Sequence, residues 1–120
     1  MTGLANATNG LGSLIWNNLA SVTSATAVAN NGYITGNAGQ TKVTLPTTSV
    51  VGSVFAVSGL GAAGWILQMA AGQTLNFGNV ASSVAGTATS TNQYDSITLV
   101  CVTANTTFCV VASQGNITMA

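Results

Sequence analysis

Along most of this chain, apolar residues alternate with hydroxyl and amide residues over short runs, and Gly, Asn or a single Pro separates one run from the next. Period-two text rich in Val, Thr, Ile and aromatics predicts β-strands. Val22 to Val28 alternates weakly, and Asn30-Asn31-Gly32 and Gly36-Asn37-Ala38-Gly39 supply turns, because Asn and Gly accept the positive φ that tight turns need. Lys42 to Leu45 predicts a short strand that Pro46 ends or confines to an edge, since proline lacks the ladder donor. Gly52 to Val57 alternates again, with Val54, Ala56 and Ser58 on one face and Ser53, Phe55 and Val57 on the other. Gly59 to Gly64 reads as a flexible connection. Trp65 to Ala70 and Thr74 to Gly78, joined by Ala71-Gly72-Gln73, read as a hairpin. Val80 to Asn92 has no large side chain and reads as a long exposed loop or a weakly paired edge.

The clearest local pattern is the last hairpin. Asp95 to Thr103 places Ile97, Leu99 and Cys101 on one face and Thr98, Val100 and Val102 on the other, and Thr107 to Ala112 is again β-branched and aromatic. With Ala104-Asn105-Thr106 as the loop, Cys101 and Cys109 stand directly opposite each other; a two-residue loop offsets them by one. A turn at Gly115 then leads into a terminal strand, Asn116 to Met119. Short strands at this turn spacing predict an all-β domain, a small antiparallel sandwich or jelly-roll-like barrel.

The first twenty residues break the pattern. Leu4, Leu11, Leu14, Ile15, Trp16 and Leu19 are spaced by Gly and Asn with neither a helical nor an alternating period. Disordered tails are poor in such side chains. Residues 1–20 are therefore expected to be an N-terminal arm docking on another surface, or else to pack on their own domain, with residues 21–120 as the β domain.

Charge changes the picture most. The 120 residues carry Lys42 and Asp95 as their only charged side chains, with no His, where a globular domain has about a quarter charged residues. Asp95 cannot pair with a second side-chain carboxylate for glycosidase chemistry. Two thiols eight residues apart cannot close a zinc site, which needs three or four ligands. A neutral chain offers phosphate no attraction, so nucleic acid is not an expected partner. Glycine-broken apolar text does not supply the roughly 20 helical residues that span a bilayer, and no membrane partner is expected. The composition thus points to a structural protein, not an enzyme, with no catalytic, metal or cofactor residues. Asp95 is expected to accept turn amides or to pair with Lys42.

Met1 to Asn6 lacks a secretory leader's charged and apolar regions. Synthesis in a cytoplasm is expected, with Cys101 and Cys109 as thiols, either small buried hydrophobes or the halves of a later cross-strand disulfide. Gly59-Leu60-Gly61-Ala62-Ala63-Gly64 spells a dinucleotide-binding pattern, but strand-like Trp65 to Met69 follows where that motif needs a helix. Trp65, Phe77, Tyr94 and Phe108 stand singly in strand-like text and are expected to anchor the core or a subunit interface; stacking on a sugar is the other use for them.

The runs Gly64 to Asn79, Ser90 to Ile97 and Cys101 to Phe108 resemble a β-rich module that recurs in virion proteins of tailed bacteriophages, among them tail-fibre and head-decoration proteins. The resemblance covers the chain from about Gly32 onward and leaves the N-terminal segment outside. Leu67 and Met69 depart from it, standing where the module carries more polar residues, and Cys109 adds a second thiol. The resemblance implies a homotrimeric, charge-poor domain on a phage particle. A fibre needs an attachment domain, a shaft and a tip, whereas 120 residues suffice for an arm and one domain. The expectation is therefore a capsid decoration, or cement, protein that is made in the host cytoplasm and binds the major capsid protein on the capsid exterior. The alternatives are a fibre or head-fibre tip recognising a host glycan through the loops at Gly59–Gly64 and Val80–Ser90, and a self-polymerising surface filament subunit.

Overall fold

The computed structural model describes residues 14–120. Twelve strands fall in these residues: β1 (Ile15–Asn18), β2 (Ser24–Thr26), β3 (Asn31–Thr35), β4 (Thr41–Thr44), β5 (Val54–Gly59), β6 (Trp65–Gln68), β7 (Thr74–Phe77), β8 (Val80–Ala81), β9 (Thr87–Ser90), β10 (Ser96–Thr103), β11 (Thr107–Gln114) and β12 (Ile117–Met119). They form two sheets, one of seven strands in the order β1-β3-β5-β10-β11-β7-β8 and one of five in the order β12-β9-β6-β4-β2. Among the described residues no helix is long and apolar enough to cross a membrane.

The all-β expectation holds, but the wholly antiparallel one does not. Five of the ten pairings are parallel: β1 with β3, β3 with β5, β2 with β4, β4 with β6, and β7 with β11. The reason lies in the connections. From β1 to β6 each strand passes to the opposite sheet, so the chain returns to a given sheet running in its former direction. The result is three stacked rungs, β1–β2, β3–β4 and β5–β6, with Ile15, Asn31 and Phe55 in register on one side and Ser24, Lys42 and Ile66 on the other. Beyond the third rung the pairing is antiparallel except between β7 and β11, with β10 closing on β5 and β9 on β6.

The same alternation overturns the hairpin expected about Ala71-Gly72-Gln73. A turn does form there, yet β6 and β7 lie in different sheets. Gln73, fully buried, fixes this corner: its Oε1 accepts from the Ala70 amide at 2.8 Å and its Nε2 donates to the Pro46 carbonyl at 2.7 Å. Pro46 ends β4, as expected, and β4 is an interior strand of its sheet. The segment from Val80 to Asn92 is more ordered than its composition indicated. Thr87–Ser90 is an interior strand, and Ala88 is small because it lies in the core between Leu67 and Met119.

The core lies between the sheets. Val43, Trp65, Leu67 and Ala88 come from one; Tyr33, Phe55, Val57, Leu75, Ile97, Leu99, Cys101 and Phe108 come from the other. Phe55 and Phe108 meet edge to face, with centroids 6.0 Å apart. Leu67 and Met69 are both core residues. With no charged side chain but Asp95 inside, buried polar groups are met by hydroxyls and amides. Ser82 Oγ accepts from the Leu75 amide at 3.0 Å, and Ser90 Oγ accepts from the Trp65 amide at 2.9 Å.

Candidate functional site

Two features stand apart from the core: an uncharged outer face on the seven-stranded sheet and a junction built around Asp95. On the outer face, strand register aligns Trp16, Gly32, Ala56, Thr98 and Ala112 in one row and Asn18, Ile34, Ser58, Ser96 and Gln114 in the next. Val54, Val100 and Cys109 continue it beyond the first row. None of these side chains is charged. A Cβ at Gly32 would stand 2.6 Å from Trp16 Cε3 and Cζ3, so the indole lies directly on the Gly32 backbone. Glycine is required there because any side chain would lift the ring. Trp16 remains 45% exposed at the edge of this face.

Of the residues expected to form a docking arm, Leu4 and Leu11 lie outside the described residues. Ile15 and Trp16 belong to β1, the edge of its sheet among the described residues, Leu14 is half-buried before it, and Leu19 packs against the core. Residues 15–19 thus pair and pack with the β domain. Ile15 is 65% exposed.

The four aromatics expected as anchors separate. Trp65 and Phe108 are fully buried in the core, Phe77 is half-buried, and Tyr94 is 66% exposed on the turn before β10. Tyr33 and Phe55 carry core positions that the sequence reading did not single out. For Phe55 the signal was its place in the alternating run from Gly52 to Val57. Tyr33 follows Gly32 so closely that a turn masked its strand.

Cys101 and Cys109 are free. The loop between their strands is Ala104–Thr106 as anticipated, since Thr103 pairs with Thr107, yet the cysteines are offset by one residue. Cys101 faces Phe108, and Cys109 faces Val100. The cause is an extra residue, Val102, bulged between the Cys101 and Thr103 pairs. The two sulfurs consequently point to opposite faces, Cys101 inward and Cys109 outward. A second bulge makes Val111 the extra residue between the Thr98 and Leu99 pairs and leaves it exposed.

The glycine-rich stretch from Gly59 to Gly64 links β5 to β6, strand to strand, so no helix N-terminus faces it. Nor is it a free loop: Gly61 donates 2.7 Å to the Thr35 carbonyl, and Gly59 donates 3.0 Å to that of Asp95.

Asp95 is 3% exposed and joins four parts of the fold. Its carboxylate accepts from the Thr91 amide at 2.9 Å, the Asn92 amide at 3.0 Å and the Thr91 hydroxyl at 3.3 Å. Its backbone carbonyl accepts from the Trp65 indole at 2.9 Å and from Gly59. Burial pushes the carboxyl pKa up, but hydrogen bonds from the Thr91, Asn92 and Asn116 amides and the Thr91 hydroxyl outweigh it, and the pKa falls below its ordinary 3.8. Lys42 is exposed and is not among its partners. Of the two roles expected for Asp95, acceptance of turn amides is the one seen within the chain. Among the described residues no three His, Cys, Asp or Glu side chains come together as a metal site would need.

No family model and no curated protein matches the chain.

Proposed function

We propose that this protein is a structural component of a phage particle: a capsid decoration protein that binds the outer capsid surface as a homotrimer and stabilises the head. The observation that carries this reading is the uncharged outer face of the seven-stranded sheet, with its flat row from Trp16 across Gly32 and Ala56 to Ala112. Copies of such a face approach one another without like-charge repulsion and without stripping water from ions. Gly32 lies under the Trp16 indole and Ala56 is buried, so contact falls on exposed Ala112, half-buried Thr98 and Val100, and the half-exposed Trp16 at the rim, the residue type that most often anchors an interface. The resemblance of residues from Gly32 onward to a virion module supports the same assignment.

In this reading Ile15 and Trp16 contact the major capsid protein or the next copy, and the three edge strands of a trimer act together by effective concentration. The test is reconstitution. Purified protein is mixed with capsids lacking it, bound copies are counted by mass, and the free protein is sized by light scattering. A trimer that saturates the capsid's threefold positions is the expected result. A few copies confined to one vertex would indicate a fibre, and filaments without capsid a self-polymerising subunit; either would overturn the assignment.

A further inference from the structure

We propose that the Gly115–Asn116 turn and β12 form a clasp that the Asp95 carboxylate holds shut, and that acid releases this clasp and widens the slot beneath it.

The slot is an open cavity of about 380 Å³ between the free ends of the two sheets, lined by Phe77, Val80, Gly115, Asn116, Ile117 and Met119. One wall is β12 together with the turn that leads into it. Among the described residues β12 has a single strand neighbour, β9, with three paired residues and the further exchange between Ala120 and Thr87 at 3.0 and 3.2 Å. Its entry is pinned from the other side. Thr91 Oγ1 donates to the Asn116 carbonyl, and Thr91 is itself held by Asp95. Gly115 packs so tightly on the carboxylate that a Cβ there would overlap Oδ1. Its φ of 88° also disfavours any other residue.

The Thr91 and Asn92 amides converge on Asp95 Oδ2, and the Thr91 hydroxyl, whose one proton is shared with the Asn116 carbonyl, lies 3.3 Å from the same oxygen. Protonation removes the negative charge that these donors bind, and it puts an O–H either among them on Oδ2 or against the Gly115 turn on Oδ1, so the seat of the turn on the carboxylate weakens. The other half of the junction is untouched, because Trp65 and Gly59 bond the backbone carbonyl, which does not titrate. Release is therefore local to the turn and β12. Among the described residues no charged side chain faces the carboxylate: β5, β6 and β9 present Gly59, Trp65 and Ser90 to this junction, and none titrates in acid. Tyr94 beside it is exposed, and Ala120 lies at the far end of β12. The clasp acts on the folded chain whether or not it is part of a particle.

Amide exchange of the full-length protein, followed by NMR and referred to unstructured-peptide rates at each pH, tests this at neutral pH and at about pH 2. Protection at Thr118 and Ala120, the β12 amides that face β9, is expected to fall at least tenfold in acid while that of β5 and β10 is retained. In Asp95→Asn the same amides should be weakly protected at both pH values. Gly115→Ala, which forces a methyl group against the carboxylate, should reproduce the open state at neutral pH. If β12 stays protected in acid, if it loses protection only together with β5 and β10, or if Gly115→Ala leaves it protected, there is no clasp.

Discussion

The indole Nε1 of Trp65 donates 2.9 Å to the backbone carbonyl of Asp95, thirty residues away, and the bond is buried. It ties β6, the member of the third rung that lies in the five-stranded sheet, to the residue just before β10 in the seven-stranded sheet. The largest core side chain is thereby fastened to the residue that carries the chain's one acidic side chain. Where a conventional domain spreads polar bonding over many surface charges, this one concentrates it at a junction inside.

Trp65→Phe is expected to lower stability by about 2 kcal/mol, since it removes the indole donor and leaves a small void at a fully buried position. Denaturant unfolding at an unchanged m-value measures it. A loss much smaller than this would mean that the indole bond contributes little and that the sheets are joined by packing alone.

Acid stability should follow a single side chain. Asp95 has a folded pKa below its ordinary 3.8, so its contribution is fully present above that value and is lost as pH falls through the lower, folded one. Unfolding midpoints are expected to be level from neutral pH down to the ordinary carboxyl range and to decline below it. Asp95→Asn should be less stable at neutral pH and should flatten that decline. A wild-type profile that falls between pH 7 and 5 would point to some other titrating group.

Strand positions were legible because alternation reports which face a side chain takes, and the interior triplet Ile97, Leu99 and Cys101 was read correctly from it. Strand neighbours were not, because alternation carries no information about direction. Whether β6 returns on β7 or crosses to the other sheet is decided by buried Gln73 and its bonds to Ala70 and Pro46, a contact that spans 27 residues. The same limit hid the site. Trp16 and Gly32 become neighbours only once β1 and β3 pair in parallel, and the offset of Cys101 from Cys109 depends on Val102 bulging from a strand whose sequence alternates without interruption. The lone Asp95 was conspicuous in the sequence, and its carboxylate's donors, Thr91 and Asn92, lie only four and three residues upstream; what the sequence hid is the bond its carbonyl takes from Trp65, thirty residues away.

Gly32→Ala tests the seat of Trp16. The added methyl group must displace the indole, and a cost on the order of 1 kcal/mol is expected. Trp65 is fully buried, so a rise in acrylamide quenching reports on Trp16 alone. Unchanged quenching would show that the ring does not lie on Gly32 in solution.

The cysteines should respond differently to reagents. Cys109 is half-buried on the outer face and Cys101 is buried in the core, so thiol titration of the native protein is expected to modify Cys109 first and Cys101 only on unfolding. Oxidation should not link the two within one folded chain, because their side chains project from opposite faces of the hairpin. An intrachain disulfide found by mass spectrometry in the folded protein would require Val102 to leave its bulge and the hairpin to change register.

Ser49 gives the opposite kind of prediction, a substitution that stabilises. Its hydroxyl is buried with no hydrogen-bond partner, the only such side-chain atom among the described residues. The backbone around it is fully engaged: Ser49 N–H donates 2.8 Å to Asn105 Oδ1, and Asn105 N–H donates 3.0 Å to the Ser49 carbonyl. Ser49→Ala keeps both bonds and removes an unsatisfied polar group, so stability is expected to rise by about 1 kcal/mol. Asn105→Ala, which strips the partner from the Ser49 amide, should lower it by a similar amount. If Ser49→Ala is instead destabilising, the hydroxyl must have a partner in the assembled protein, and the corner from Pro46 to Ser53 becomes the place to look for a contact with another copy.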